Sequence, residues 1–370
     1  MKQWIEKIKP YCPIPCMVLI SLAPIAGMLH LISRASVAFS DAMLAGVSIV
    51  PRFILAMLTN LLPFSLAEAI LMASPILLIL VIVVSIRLQK RELSASVRLI
   101  SLLLSIISTA YFVFAVGFAP GYSGSTLEQR MKLDRKKVSA AELKQTAMIL
   151  MAECETLLDE VEFLFDSASI MPYSLDAMND KLNDAYRKAG KKYDFITHFP
   201  TNLKYVVLSE PMSYTHITGV YSFFTGEANI NVHFPDYTIP YTAAHELSHQ
   251  RGIAREDEAN FMAYLVCMES DDPYIRYSGY MNLFEYVYSA LYRADRKAYT
   301  ELWYEMDGRM RGEITAYSKF FEKYKDNVAS SVSGAINNQY LQSQGQSEGT
   351  KSYGRVVDLA VAYLLYDKHE

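Results

Sequence analysis

Hydrophobic residues crowd the first third of this chain. From Tyr11 to Ala119 nearly every position is apolar or small, while the charge lies mostly after Leu127. Three runs reach the roughly 20 residues that a helix needs to cross a bilayer. They are residues 11–33, "YCPIPCMVLISLAPIAGMLHLIS", residues 66–86, "LAEAILMASPILLILVIVVSI", and residues 99–119, "LISLLLSIISTAYFVFAVGFA". Residues 34–65 are interrupted by Asp41, Pro51, Arg52 and Pro63, which predicts an interfacial or re-entrant segment rather than a further span. Residues 11–33 lack the small-residue cleavage site of a signal peptide, and two more spans follow. The pattern predicts a membrane domain over 1–120 and a separate domain over 121–370.

The second domain begins with helical periodicity. Ser139–Glu142, "SAAE", forms a capping box ahead of "LKQTAMILMAECETLLDEVEFLF". Ser174 caps "LDAMNDKLNDAYRKA", which Gly190 is expected to end. The pattern then changes to strands. "KYVVLS" from Lys204 is one, and "GVYSFFTGEANINVHF" from Gly219 to Phe234 reads as two, with the turn near Thr225 and Gly226. Ala228, Ile230, Val232 and Phe234 alternate with Glu227, Asn229, Asn231 and His233, which predicts one buried and one polar face. A helix starts after Pro240, and helices continue from Asn260 to about Asp326. Residues 330–350, "SSVSGAINNQYLQSQGQSEGT", are expected to form a mobile loop, and "YGRVVDLAVAYLL" a closing helix. The predicted fold class is an α-helical membrane N-terminus with three transmembrane helices, followed by an α+β, mainly helical domain with a small β-sheet.

Composition agrees with this division: 52% hydrophobic residues are too many for a chain whose 20% charge were evenly spread. A net charge of -4 with no basic stripe argues against nucleic acid as a partner. Lys2, Lys7 and Lys9 precede the first span, and Arg87, Lys90, Arg91 and Arg98 crowd the loop between the second and third, so both belong inside. That orientation makes the chain a multi-pass cell-membrane protein with a cytoplasmic N-terminus and an extracytoplasmic C-terminal domain. Cys12 and Cys16 open the first span. Cys154 and Cys267 lie in the second domain, where a disulfide between them is possible but not readable from spacing.

The densest chemistry is "TAAHELSHQRGIAREDEAN", residues 242–260. His245 and His249 are four apart, so on a helix both imidazoles project from one face toward one ion, in an HExxH pattern. Glu246 is swung about 100° aside and can reach a water at the ion without being a ligand. Ala243, Ala244 and Leu247 make the rest of the helix apolar, unlike an ordinary solvated face. A catalytic zinc site needs a third protein ligand. Gly252 can turn the chain back past the metal, which brings Glu256 and Glu258 into contention. One acid can ligate while the other favours the helix N-terminus by its charge.

HExxH followed by an "ExxA" helix resembles the gluzincin metallopeptidases. The resemblance implies Glu256 as the third ligand, with Asn260 in place of the usual Asp and with a shorter gap after His249. The "HxxG" turn is closer to metzincins, but Arg255 stands where their third histidine would be. Over nearly the whole chain, the three spans, "FFTGEANIN", "HELSHQRGIAREDEANFMAYL" and "SYGRVVDLAVAYL" resemble a bacterial membrane family known as domain of unknown function 3810. That family is described only as zinc-dependent peptidases without an assigned substrate. The resemblance implies a zincin-like second domain that binds one Zn2+ per chain through His245, His249 and Glu256, and cuts peptide bonds with Glu246 as general base.

The expected partners are a peptide or protein substrate and the lipid bilayer. The strand Glu227–Phe234 is a candidate for pairing with an extended substrate. His216, Tyr221, His233 and Tyr280 are candidate oxyanion donors, none singled out by spacing. His198 reads as structural or solvent-exposed rather than catalytic, and His30 lies in the first span. Two other functions compete: a catalytically silent metal-binding membrane sensor or adaptor, and a transporter. The spans carry little ionisable chemistry beyond Glu68, which disfavours transport.

Overall fold

The computed structural model describes residues 8–89, 93–164 and 168–366. The chain divides into two compact units, one formed by residues up to Gly124 with Ser222–Glu227, the other by Ser125–Tyr221 with the residues from Ala228 onward.

The N-terminal unit is helical: α1 (Ile14–Ile20), α2 (Leu22–Ala35), α3 (Val37–Ala42), a π-helical turn (Met43–Val47), α4 (Ile49–Asn60), α5 (Leu66–Gln89) and α6 (Leu93–Gly117). By length and composition, four stretches among the described residues can cross a membrane: Ile14–Ala35, Val37–Asn60, Leu66–Leu88 and Ser94–Ser123. The second of these is the segment expected at the interface. It is helical because Pro51 falls in the first turn of α4, where proline has no helical hydrogen bond to lose, and because the buried Arg52 turns its Nε back to the Ser48 carbonyl, 3.0 Å away. Leu71 and Ile76 on α5 are 72% and 71% exposed, part of an apolar surface that water alone would leave unfavourably wetted. These helices mark the chain as membrane-associated. Of the basic residues that suggest orientation, Lys9, Arg87 and Arg98 are described; Lys2, Lys7, Lys90 and Arg91 lie outside the described residues.

Ser222–Glu227 is the tip of a hairpin whose strands are β2 (Gly219–Ser222) and β3 (Glu227–Ile230). Within its unit this tip is fixed at two points. Phe223 packs on Phe114 with ring centroids 5.0 Å apart. Both carboxylate oxygens of Glu227 accept backbone N–H groups at the start of α5, from Leu66 at 2.9 Å and Ala67 at 2.8 Å. A carboxylate suits that place, because the first N–H groups of a helix have no partners within it.

The second unit contains α7 (Ala140–Leu157), α8 (Leu175–Lys192), β1 (Lys204–Tyr205), α9 (Thr238–Gln250), α10 (Glu256–Met268), α11 (Pro273–Ala294), α12 (Arg296–Glu305), α13 (Gly308–Glu322), α14 (Val328–Ser343) and α15 (Val356–Val361). The Ser139 capping box and the Ser174 cap form as the sequence predicts. α7 ends earlier than its periodicity suggests, at Leu157, and Phe165 at the end of that pattern lies outside the described residues. α10 and α11 pack against α9, and α7 lies along α11.

Several expectations are corrected. α8 runs through Gly190 to Lys192; the glycine serves close packing instead, since a Cβ there would come within 3.3 Å of the Ile196 carbonyl. Residues 330–350 are largely helix, not loop: Asn327 caps Ser330 and the buried Leu341 anchors the helix. Its polar residues cover an exposed face, and Gly345, with φ +90°, ends it. The closing segment is helical but mixed, a 3₁₀ turn, α15 and a π turn. β3 is the middle strand of a sheet ordered β1-β3-β2, with Lys204 beside Asn229 and Tyr205 beside Ile230 in a parallel pairing. It is also buried on both faces rather than one. The polar side chains of β3 and of the residue after it bond inward: Asn229 Nδ2 donates to the Val220 carbonyl at 3.0 Å, and Asn231 Nδ2 to Ser213 Oγ at 3.1 Å. A central strand has no free edge for a substrate, so the edge strand β2 takes over that candidacy. Cys12, Cys16, Cys154 and Cys267 are all free thiols, and burial raises the pKa of Cys154 and Cys267.

Candidate metal centre

Every residue of α9 is buried, which is unusual for a helix with this many polar side chains. The polar residues face one another. His245, Glu246, His249 and Glu256 are each between 4% and 8% exposed. Glu256 Oε2 lies 3.3 Å from Nε2 of His245 and 3.3 Å from Nε2 of His249. The imidazole planes stand at 90° with centroids 4.6 Å apart. Tetrahedral ligands about 2.1 Å from one ion lie about 3.4 Å from each other. The three ligand atoms, all within 4.8 Å of one another, therefore form a group that can hold a metal ion.

The turn after α9 brings Glu256 to the histidines. Gly252 has φ +98°, and its N–H donates to the His249 carbonyl at 2.9 Å, while the Ile253 N–H donates to the Ser248 carbonyl at 3.1 Å. These two bonds form a Schellman C-cap, which reverses the chain within three residues. The cap also has a chemical role. The Ile253 carbonyl lies 2.7 Å from His249 Nδ1, and a carbonyl only accepts, so Nδ1 carries a proton and Nε2 is the nitrogen turned toward Glu256. Arg251, buried over the Tyr186 ring at 4.0 Å, donates to the Phe199 carbonyl at 2.9 Å and holds the helix end.

Electrostatics tie the group together. Burial works against a charged His249, but the Glu256 carboxylate beside it prevails and raises its pKa to about 9. Burial also works against the Glu256 anion, and the two imidazoles more than compensate, holding it well below the ordinary carboxyl range. The buried Glu256 Oε2 faces both Nε2 atoms, as expected of an atom placed for a shared cation. Glu246 is left outside this set. Burial lifts its pKa, partly offset by the two histidines, and the Tyr221 backbone N–H donates to it. Among the described residues its Oε2 has no partner. Gly219 on β2 makes room for it: a Cβ there would sit 2.6 Å from Glu246 Oε1.

Glu258 does different work. Its Oε1 accepts from Arg255 Nη1 at 2.8 Å and from the Leu127 backbone N–H at 3.1 Å. Burial raises its pKa despite Arg255. Asp257 points toward Arg135, 3.8 Å away, which also pairs with Glu128 and Asp358.

The other candidates separate. His216 and His233 both turn to Tyr324, through its carbonyl and its hydroxyl, each at 2.7 Å. Tyr280 packs on Tyr264. His30 stands beside Tyr111 in the N-terminal unit, and His198 is half-buried with a pKa lowered by burial. Sequence reasoning does not find the cavity of about 340 Å³ beside His245, lined among others by Thr242, Asn260, Asn282, Glu285 and Tyr286. Its one readable signal is Glu285, a lone acid inside the otherwise apolar and aromatic "MNLFEYVYSALY".

No curated protein and no solved structure matches the chain. A family model described as "Protein of unknown function (DUF3810)" matches residues 47–361, a span that takes in the three metal-binding candidates, Glu246 and the cavity. The chain belongs to that family.

Proposed function

We propose that this protein is a membrane-anchored zinc metallopeptidase. The observation that carries the reading is a division of labour: His245, His249 and Glu256 converge on one point, while the adjacent Glu246, desolvated and with a spare oxygen, is kept out of the ligand set. Two imidazoles and one carboxylate form the donor set of a catalytic zinc site, which leaves a position open. When bound there, zinc supplies Lewis acidity to a carbonyl and to water. Glu246 takes the proton of the attacking water and returns it to the leaving amine, a task suited to a carboxylate whose pKa is raised by burial. β2 is an edge strand of the sheet, the place where an extended peptide would pair, and the Tyr221 N–H that orients Glu246 lies on that strand. With three crossings, the N-terminus is cytoplasmic and the C-terminal unit extracytoplasmic.

The test is metal content and turnover of the purified full-length protein. Wild type should hold about one zinc per chain and cut an unstructured peptide. His245→Ala should lose the metal, and Glu246→Gln should keep it and stop cleavage. A wild type that holds zinc and cuts nothing over a broad peptide set would favour the silent sensor instead.

A further inference from the structure

The cavity beside His245 is lined by residues of α9, α10, α11 and α13 and by Thr218 just before β2, and every one of these residues carries a polar group on a surface that is otherwise largely apolar. Three of the hydrogen-bond donors of that lining are already committed. Thr238 Oγ1 donates to the Pro235 carbonyl at 2.8 Å, Tyr241 OH to the Asn260 carbonyl at 2.8 Å, and Asn282 Nδ2 to the Ser278 carbonyl at 2.8 Å. The acceptors that the wall offers a ligand are hydroxyl lone pairs, the Asn282 amide oxygen and the Glu285 carboxylate, beside the Asn260 amide, whose buried N–H has no hydrogen-bond partner among the described residues.

Glu285 is the one acidic residue lining the cavity, and no Lys or Arg lines it. Its Oε1 accepts from Tyr237 OH at 2.7 Å. Burial, with the neighbouring acid Glu313, pushes its pKa up to about 7 against that bond. Arg293, one turn beyond Ser289 on α11, donates to Ser289 Oγ at 3.1 Å on an exposed face. Among the described residues no cation pairs with Glu285. Taking a carboxylate out of water without a counter-charge costs several kcal/mol. Proteins normally avoid this with an internal Lys or Arg, or by keeping the group protonated. Here a third solution is open, because the carboxylate faces a cavity next to a metal centre.

We infer that the cavity is a substrate pocket in which Glu285 recognises a cationic group, an alkylammonium or guanidinium. The word substrate rests on the peptidase reading above; the cation site does not. A pocket of this volume, within the ordinary 300–1,000 Å³ range, accommodates the side chain of a basic residue. The same chemistry can come from a lysine or arginine side chain or from a peptide's free α-amine.

Calorimetry on the full-length protein in detergent at pH 8 tests the pocket without turnover, with butylammonium and butylguanidinium as probes and pentanol as the uncharged control. Wild type should bind the two cations in preference to pentanol, and Glu285→Gln, which keeps an acceptor for Tyr237, should bind them at least tenfold more weakly with its zinc content unchanged. Ser289→Lys places an ammonium four residues along α11, over Glu285, and should abolish cation binding while leaving Glu285 in place. Equal binding to wild type and Glu285→Gln, or no cation preference in wild type, overturns the inference. Cleavage then names the source: an acetylated peptide with internal lysine against a lysine-free peptide with a free α-amine. Glu285-dependent binding without cleavage of any peptide would leave the pocket standing and remove the peptidase reading.

Discussion

His249 Nδ1 and the Ile253 carbonyl oxygen lie 2.7 Å apart, so the turn that ends the helix also orients one of the metal-binding imidazoles. The arrangement depends on Gly252, whose φ of +98° is poorly tolerated by any residue with a Cβ. Gly252→Ala is expected to lower stability by about 1 kcal/mol or more. By loosening the bond to Ile253 it should also weaken zinc binding by roughly 10- to 100-fold, the usual effect of losing a ligand's outer partner. Chelator competition and thermal melts read the two effects separately. An unchanged zinc affinity would show that the turn does not orient His249.

Gly219 leaves the space that Glu246 fills. A methyl group at that position would meet Glu246 Oε1 at 2.6 Å and displace the carboxylate. Gly219→Ala should therefore lower kcat by about 100-fold, the scale of a misplacement of about 1 Å, while zinc content stays at the wild-type value. Loss of the metal in this variant would mean that Glu246 and the ligand set are not separable.

Glu256 and Glu258 occupy the same helical turn with different partners, and paired substitutions separate their roles. Glu256→Gln should lose most of the bound zinc. Glu258→Gln should retain it, yet lose about 3 kcal/mol of stability, because the charged pair with Arg255 is broken in a buried setting. Metal analysis and denaturant melts of both variants give four numbers, and a loss of zinc in Glu258→Gln alone would reverse the assignment.

Much of this arrangement is legible in the sequence because it depends on local chain geometry. The spacing of His245 and His249, the offset of Glu246 and the left-handed turn at Gly252 are all properties of one helix and its cap. Whether Glu256 or Glu258 meets the imidazoles is not local: it depends on the Leu127 N–H and the Arg255 side chain drawing Glu258 away. The β3 alternation misleads because period-2 patterning does not reveal that Asn229 and Asn231 are satisfied by neighbouring strands and loops inside the unit. Residues 330–350 mislead in the opposite way. Their small polar residues suit an exposed helix as well as a loop, and the decision rests on the Asn327 cap and the burial of Leu341. Glu285 is visible only as an anomaly, an acid among aromatics, until α9 and α13 are placed around it.

Glu313 provides a pH dependence separate from the metal centre. It is fully buried, its Oε1 accepts from the Ser169 N–H at 2.9 Å, and burial raises its pKa to about 7. Since the folded pKa exceeds the unfolded value of about 4.3, the folded state holds the proton more tightly. Its stabilising effect is complete below the unfolded pKa and is lost as pH rises toward 7. The loss amounts to roughly 4 kcal/mol for this group. Glu313→Gln should remove that slope, so that thermal melts at pH 5 and pH 8 differ less than in wild type. An unchanged slope would mean that Glu313 is ionised in the folded protein throughout.

The side of the membrane that the metal centre faces depends on whether residues 37–60 cross the bilayer. Taken whole they are long enough, since α3, the π turn and α4 follow one another without leaving helical geometry over 24 residues. Against a crossing stands Arg52, disfavoured at mid-membrane by about 3 kcal/mol. The segment is therefore expected to enter and leave on one side, giving three crossings. In a background with Cys12 and Cys16 changed to Ser, Val37→Cys, Leu61→Cys and Lys297→Cys should react with an impermeant maleimide in intact spheroplasts, and Arg87→Cys only after permeabilisation. Val37 and Leu61 flank the segment at 52% and 80% exposure, so labelling from opposite sides would make it a fourth span. With a cytoplasmic N-terminus, that result would move the metal centre to the cytoplasm and the substrate with it.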